Sequence, residues 1–163
     1  MRKWAGRVDL VAPGDLGRFK ERHITDSLRA LPTVTSLPAG PGIDIGSGAG
    51  LPGIPLAIAE PSRHWRLLEP QTKRAAFLEE VVRTLELNCE VVVRRAEEIA
   101  NDPAFVAAHL VVTLRAVAPP AAAFRLGSPL VAPGGAALVF LGKAAEIPPE
   151  ADVVEEGIAI VRR

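Results

Sequence analysis

An apolar run that ends in alternating glycines constrains the fold of this chain more than any other feature. The run ends at Gly46, glycines recur at Gly48 and Gly50, and a helix-like segment follows over residues 54–60. This order predicts a strand, a glycine turn and a helix start, which together bring backbone N–H groups against a nucleotide-like ligand. A dinucleotide site would need its third glycine where Leu51 stands. The loop therefore indicates S-adenosylmethionine rather than NAD.

Strand-like and helix-like blocks alternate after this point. Five predicted strands cover residues 43–46, 64–69, 90–94, 110–114 and 136–141, the last beginning after the turn Pro133-Gly134-Gly135. Residues 71–87 carry apolar side chains at steps of three and four, which predicts an amphipathic helix. Val153–Arg162, interrupted at Gly157, predicts a closing antiparallel pair. The pattern favours an α/β fold with a mostly parallel sheet between helices.

The first 40 residues follow a different pattern. Apolar spacing over residues 16–31 predicts a helix that ends at Pro32, and the proline- and glycine-rich stretch 37–42 predicts a linker. We therefore expect a helical arm and linker over 1–40 and one ligand-binding domain over 41–163, folded as a single compact unit. The arm is basic, which is typical either of a solvated helix face or of a contact surface for an anionic substrate.

Composition excludes several classes of function. The 19 basic and 19 acidic residues balance, so the whole chain has no general attraction for polyanions. The single cysteine, Cys89, cannot form an internal disulfide and is expected to be a buried, inert thiol. The three histidines lie far apart without the spacing of metal ligands, so no metal site is expected. No apolar run approaches a membrane span and the N-terminus does not resemble a signal peptide, so a cytoplasmic location is expected.

Acidic residues mark the ends of two predicted strands. Asp44 comes directly before the glycine turn, where it can accept from loop N–H groups or reach an amino group of the ligand. Glu69 ends the second strand, at about the distance from Gly46 at which nucleotide-binding units place a carboxylate on ribose hydroxyls. The alternatives are a tight turn without a ligand and an exposed carboxylate at a strand end.

The third and fourth predicted strands also end in candidate residues. Ala96 and Glu97 follow the third strand and belong to the same edge of the sheet, where they would contact adenine or form an acidic start to a helix. Arg115 follows the fourth strand, where an arginine serves the substrate or forms a structural ion pair.

A polar group lies on one face of the predicted N-terminal helix. His23, Asp26 and Ser27 stand at positions i, i+3 and i+4. A catalytic triad is disfavoured, because three helical neighbours point the same way and no G-x-S-x-G elbow is present. A hydrogen-bonded brace between this helix and the glycine loop is favoured. His23 and Arg115 are the predicted catalytic residues.

Four segments of the sequence resemble one protein family. They are Arg22–Leu28 (R-H-I-x-D-S-L), Asp44–Leu56 (the glycine loop), Lys73–Leu78 (K-R-x-x-F-L) and Arg115–Pro119 (R-A-V-A-P). These motifs resemble the RsmG (GidB) family of Rossmann-like, class I S-adenosylmethionine-dependent methyltransferases, which methylate N7 of a guanine in 16S rRNA. The resemblance implies cofactor contacts at Gly46, Leu51, Ala96, Glu97 and Arg115. Together with the residue patterns above, the predicted cofactor set is Asp44, Gly46, Gly48, Gly50, Leu51, Glu69, Ala96, Glu97 and Arg115.

The sequence departs from the family around the expected acceptor pocket. Ala5 follows Trp4 where the family has asparagine, Leu114 replaces the serine before R-A, and the helices that normally precede Trp4 are missing. We therefore expect an N-terminally truncated, divergent member. The first hypothesis is a methyltransferase with 16S rRNA or the small ribosomal subunit as its partner. The second is a small-molecule or peptide methyltransferase on a trimmed scaffold, and the third is a module that binds cofactor without turnover. The oligomeric state stays open.

Overall fold

The structure is a computed structural model that describes residues 23–142 and 145–163. Strands and helices alternate in these ranges as the sequence predicts. The helices are α1 (Thr25–Leu28), α2 (Leu31–Ser36), α3 (Gly53–Ala59), α4 (Thr72–Thr84), α5 (Ala96–Ile99) and α6 (Pro120–Gly127), followed by a 3-10 turn at Ser128–Leu130. The strands are β1 (Gly42–Ile45), β2 (Trp65–Leu68), β3 (Cys89–Val92), β4 (His109–Arg115), β5 (Val131–Phe140), β6 (Val153–Glu155) and β7 (Ile158–Arg162). None of the described helices has the length and apolar character needed to cross a membrane.

The seven strands form one sheet in the order β3-β2-β1-β4-β5-β7-β6. Strands β1 to β5 pair in parallel, whereas β7 runs antiparallel to β5 and β6 antiparallel to β7. The chain reverses between β6 and β7 at Glu156 and Gly157, which both have positive φ, as two-residue hairpin turns require. The predicted α/β fold, with a mostly parallel sheet and an antiparallel closing pair, is confirmed.

The centre of the sheet is buried on both faces because helices cover it from both sides. All four residues of β1 are buried, and so are five of the seven residues of β4. The predicted amphipathic helix corresponds to α4, which packs Phe77 and Leu78 against Ile54 and Leu67. A sheet that is buried in this way leaves only the strand ends accessible, so its edges are the places where polar residues can serve a ligand.

The segment before the linker packs into the core rather than standing apart from it. Ala30 and Val34 are fully buried and lie in one hydrophobic cluster with residues of α3 and β5. The predicted helix over residues 16–31 lies partly outside the described residues, and the prediction that Pro32 ends it is wrong. The helix α1 ends at Leu28, and Pro32 lies in the first turn of α2, where a missing N–H costs no hydrogen bond. The Arg63 guanidinium donates to the carbonyls of Val34, Pro38 and Gly40, which ties the end of this segment to the sheet.

Strand β5 begins earlier than the sequence indicates. The turn-like residues Pro133–Gly135 lie inside the strand, and the pairing with β4 shifts between His109↔Val131 and Val111↔Ala136. Gly134 has a φ of +81° and its N–H bonds to the carbonyl of Arg163, so the extra residues bulge outward and the strand continues. A turn signal in the sequence thus marks a bulge and not a strand boundary.

Burial holds two titratable groups neutral away from the carboxyl edge of the sheet. It raises the pKa of the half-buried Cys89 thiol to about 11, which leaves almost no thiolate at neutral pH. It lowers the pKa of His109 to about 4, with a smaller contribution from the positive charge of Arg66. Cys89 is half-buried rather than fully buried, and its inertness stays a prediction that the raised pKa supports. Among the residues described, no three His, Cys, Asp or Glu side chains gather as metal ligands would.

Candidate functional site

The loop after β1 adopts the conformation that its glycines predict. Gly46, Gly48 and Gly50 have φ values of +66°, +54° and +82°, a region that other residues rarely adopt. The N–H of Ser47 donates to the carbonyl of Leu68 at 2.9 Å, which anchors the loop to the end of β2. The loop therefore lies at the carboxyl edge of the sheet, where open α/β folds bind ligands.

The three glycines serve different purposes. A Cβ atom at Gly46 would lie 2.9 Å from Val117, and one at Gly50 would collide with Ile54. At Gly48 the one atom of the described residues within 4 Å of an added Cβ would be the carbonyl oxygen of Gly46, at an ordinary 3.7 Å. Gly46 and Gly50 thus allow close packing of the protein on itself, whereas no side chain in the described part of the chain crowds Gly48, which is the glycine that a ligand can approach.

The carboxylate of Asp44 lies beneath the loop. It is 1% exposed, accepts from the Gly53 N–H at 3.1 Å and accepts from the Thr113 hydroxyl at 2.8 Å. Burial raises its pKa from an ordinary 3.8 to about 6, although these hydrogen bonds and the charge of Arg115 act in the opposite direction. Of the two predicted tasks, accepting from backbone N–H groups is the one that the geometry supports, because Asp44 holds the first residue of α3.

The carboxylate of Glu69 supports the middle of the loop. One oxygen accepts from the Gly48 N–H at 2.9 Å, and the other accepts from the Gln71 N–H at 2.8 Å. The side chain is 3% exposed, so the alternative of an exposed carboxylate at a strand end is wrong. A carboxylate offers about four acceptor positions. Backbone N–H groups of the described residues use two of them.

The two glutamates that follow β3, Glu97 and Glu98, have different roles. Ala96 is buried as the first residue of α5, and Glu97 is exposed at the same edge of the sheet. Glu98 turns back, and its carboxylate accepts from the Arg95 N–H at 3.1 Å, which caps the helix. Glu98 is thus occupied by the fold, whereas the Glu97 side chain is exposed.

The Arg115 side chain forms its hydrogen bonds and ion pair with α1 and the residues just before it, rather than with the glycine loop. Its guanidinium lies 3.2 Å from the Asp26 carboxylate, donates to the Ser27 hydroxyl at 3.2 Å and donates to Nδ1 of His23 at 3.1 Å. A guanidinium only donates, so Nδ1 of His23 is the acceptor and that ring nitrogen carries no proton. The predicted brace exists with a different partner: His23, Asp26 and Ser27 hold the end of β4.

A cavity of about 550 Å³ lies beside the loop on its helical side. Residues of α1, α3 and α4 line it together with Ala49, Gly50 and Leu51, and most of the lining is apolar. Ile58 at its rim is 54% exposed. An apolar lining offers few partners to a nucleoside or a charged amino acid, so the polar edge of the sheet and not this cavity is the candidate cofactor site. Leu51 and Gly50, both predicted cofactor residues, stand at the border between the two.

Two residues of the site are absent from the sequence-based set. Thr113 donates to Asp44 from the neighbouring strand, and the buried Ser47 hydroxyl donates to the Asp44 carbonyl at 3.0 Å. Thr113 is a polar residue within the apolar run Leu110–Leu114, and that interruption is the signal which could have revealed it. Ser47 carries no such signal, because serine is ordinary in a turn.

Comparisons with known proteins show the family and the fold of this chain. The family described as GidB, rRNA small subunit methyltransferase G, matches residues 1–156. The ribosomal RNA small subunit methyltransferases G of Granulibacter bethesdensis and Roseiflexus castenholzii are 42% and 41% identical over 88% and 99% of this chain. The chain spans 64% and 68% of their lengths. The fold is also that of a putative S-adenosyl-L-methionine-dependent methyltransferase from Methanococcus maripaludis, with a TM-score of 0.57 and 20% identity over 77% of this chain and 60% of the other.

Proposed function

Because this chain belongs to the GidB family, rRNA small subunit methyltransferase G, we propose that it is an S-adenosylmethionine-dependent methyltransferase that acts on N7 of a guanine in 16S rRNA. The loop of three left-handed glycines, with Glu69 bonded to its middle, is the observation that carries the proposal. The loop leaves open space above Gly48 at the edge where α/β folds bind ligands.

The residues at this edge fit the proposed cofactor. The space beside Gly48 would admit the ligand close to the backbone, and the two acceptor positions that Glu69 keeps suit a ribose diol. Glu97 and the Ala96 backbone are free to face the base, because Glu98 caps α5. When bound, S-adenosylmethionine supplies a methyl group on a positively charged sulfur.

The chain need not supply a strong base for this reaction. Guanine N7 already carries a lone pair in the plane of the ring, so the protein's task is to orient the acceptor and to exclude water. Arg115 suits the first task, because four groups of the N-terminal helical turn hold its guanidinium. His23 accepts a hydrogen bond from Arg115 through Nδ1, so we assign it to orientation rather than to proton removal.

The identity of the acceptor is the part of the proposal that needs the sharpest test. A net charge of zero gives the chain no general attraction for RNA, and this observation favours a small-molecule acceptor as the second candidate. Recognition of a guanine in folded RNA would then depend on local Lys and Arg contacts with the backbone around a splayed base. With 16S rRNA or the small subunit as partner, we also infer a cytoplasmic location.

The test measures methyl transfer to small ribosomal subunits that lack the modification. Purified protein and labelled S-adenosylmethionine are incubated with the subunits, and digested 16S rRNA is examined for 7-methylguanosine by mass spectrometry. We expect one methylated guanine with the wild type and none with Gly48→Val, whose side chain would fill the open space. Gly134→Val is the matched control, because Gly134 has the same left-handed φ, with open surroundings inside the β5 bulge.

The outcome separates the two candidates. Methylation by the wild type and by Gly134→Val, but not by Gly48→Val, supports the proposal. Cofactor binding by calorimetry without methylation of any ribosomal subunit would refute the RNA assignment and leave the small-molecule candidate. Tight NAD binding in place of S-adenosylmethionine would refute both.

A further inference from the structure

The guanidinium of Arg115, at the end of β4, is held by one turn of helix. We propose that Asp26 is a positioning residue that presents Arg115 to the cofactor edge, an inference that rests on the proposed function. Asp26 lies 3.2 Å from Nη2 of Arg115, and the guanidinium also donates to the His23 carbonyl, Nδ1 of His23 and the Ser27 hydroxyl, while the Phe140 ring lies 5.9 Å away on β5. The hydrogen-bond and ion-pair partners belong to five consecutive residues of α1 and its entry.

Asp26 differs from the other partners of Arg115 in carrying a charge. The remaining three acceptors are neutral, and the Arg115 side chain is only 18% exposed. A guanidinium in such a place prefers a charged acceptor, since charge-assisted hydrogen bonds are shorter and stronger than neutral ones. Removing the charge of Asp26 would leave the guanidinium free to turn toward solvent. We therefore expect Asp26, more than Ser27 or His23, to determine its orientation.

The register of the sheet shows what Arg115 is positioned against. Leu114 pairs with Ile45, so Arg115 stands level with Gly46 at the start of the glycine loop. Thr113 and Arg115 point to the same face of β4, and Thr113 bonds to Asp44 beneath the loop. The Arg115 guanidinium therefore lies on the side of the sheet on which the loop is built, close enough for its charge to act on Asp44.

The helical segment keeps its place through contacts that do not involve Arg115. Arg29 donates to the Glu156 carbonyl in the β6–β7 turn, and the Thr33 hydroxyl donates to the Glu155 carboxylate at 3.1 Å. Ala30 and Val34 are fully buried in the core. Loss of the Asp26–Arg115 contact should therefore leave the helix in position and change only the orientation of Arg115. This separates a positioning role from a structural one.

A double-mutant cycle with S-adenosylhomocysteine as the probe tests the proposal. Its dissociation constant is measured by calorimetry for the wild type, Asp26→Asn, Arg115→Gln and the double variant. We expect each single variant to bind at least fivefold more weakly and the double variant to bind no more weakly than Arg115→Gln, because Asp26 acts through Arg115. Melting temperatures should stay within a few degrees of the wild type.

Two further variants make the cycle specific. Asp26→Glu restores the carboxylate and should recover most of the lost affinity. Arg29→Gln is the control for helix anchoring, because it removes the other ion pair of Asp26 and the bond to the Glu156 carbonyl, and Ala30, Val34 and Thr33 still hold the segment. It should bind the probe as the wild type does.

The outcomes distinguish this inference from the proposed function. Unchanged affinity in Asp26→Asn, additive losses in the double variant, or equal weakening in Arg29→Gln would overturn the positioning role while the wild type still binds. A fall in melting temperature that accounts for the whole loss of binding would show a structural ion pair and also overturn it. No binding of S-adenosylhomocysteine to the wild type would overturn the proposed function and this inference together.

Discussion

Replacing Asp44 by asparagine should make this protein more stable at neutral pH. The Asp44 carboxylate is buried beneath the glycine loop between the Gly53 N–H and the Thr113 hydroxyl. An asparagine amide has nearly the same shape, can accept from Gly53 through its oxygen and can donate to the Thr113 oxygen. The Thr113 hydroxyl could then donate to the Ile43 carbonyl, which is 3.5 Å away. The variant thus imitates the protonated acid and avoids a buried negative charge.

The size of the effect follows from the pKa of Asp44, which burial raises from 3.8 to about 6. Below pH 4 the carboxyl is protonated in both the folded and the unfolded chain and contributes no difference. Between about pH 4 and 6 only the folded state retains the proton, so the free energy of unfolding falls by about 1.4 kcal/mol per pH unit. Above pH 6 both states are ionised, and the accumulated cost is about 3 kcal/mol.

The assay is urea unfolding of the wild type and Asp44→Asn at pH 4, 5, 6 and 7. Other carboxylates titrate in both proteins, so the difference between the two curves isolates Asp44. We expect this difference to be small at pH 4 and to grow to as much as about 3 kcal/mol in favour of the variant at pH 7. A difference that stays constant over this range would show that Asp44 ionises normally. A wild type that is the more stable protein at pH 7 would show that the charge itself strengthens the fold.

Three further predictions concern single residues. Arg63→Met should lower the free energy of unfolding by about 2–4 kcal/mol in urea, because three carbonyls lose a charged donor; a loss below about 0.5 kcal/mol would contradict this. Glu69→Ala should weaken S-adenosylhomocysteine binding by about 1–3 kcal/mol in calorimetry, and an unchanged dissociation constant would restrict Glu69 to supporting the loop. Cys89, whose pKa burial raises to about 11, should react slowly with a thiol reagent at pH 8 and rapidly once the chain is denatured; fast reaction in the native state would refute its inertness.

Local sequence patterns were sufficient to predict most of the sheet. The glycine loop, the amphipathic α4 and the closing pair around Gly157 each depend on residues that are close together in the chain. Such features follow from periodicity and backbone preference, which do not need tertiary information. The same rules misplaced the start of β5, because Pro133–Gly135 has the composition of a turn, whereas the Arg163 carbonyl fixes it as a bulge.

The partners of the site residues could not be predicted in this way. Asp26 and Arg115 were both selected from the sequence, but nothing local indicates that they meet across 88 intervening positions. The sequence likewise did not predict where the Asp44 carboxylate points, since it could have faced a ligand. Hydrogen bonds from Thr113 and Gly53 hold it beneath the loop. Side-chain direction at a strand end depends on the neighbouring strands, so residue type predicts a candidate and only the packing assigns its task.

The contacts that shape the candidate site are made by the protein's own residues. Asp44 holds the end of the loop at Gly53, and Glu69 holds its middle at Gly48. Asp26 of α1 holds Arg115 at the end of β4, the strand that pairs with β1. Because these contacts hold the loop, binding a ligand should cost less conformational entropy. The affinity for a ligand then depends on preorganisation as well as on direct contact. It follows that substitutions beneath the loop should alter ligand affinity without touching the ligand. The buried charge of Asp44 lowers the free energy of unfolding, although the same residue shapes the site. Such a loss of stability is common at residues that serve function.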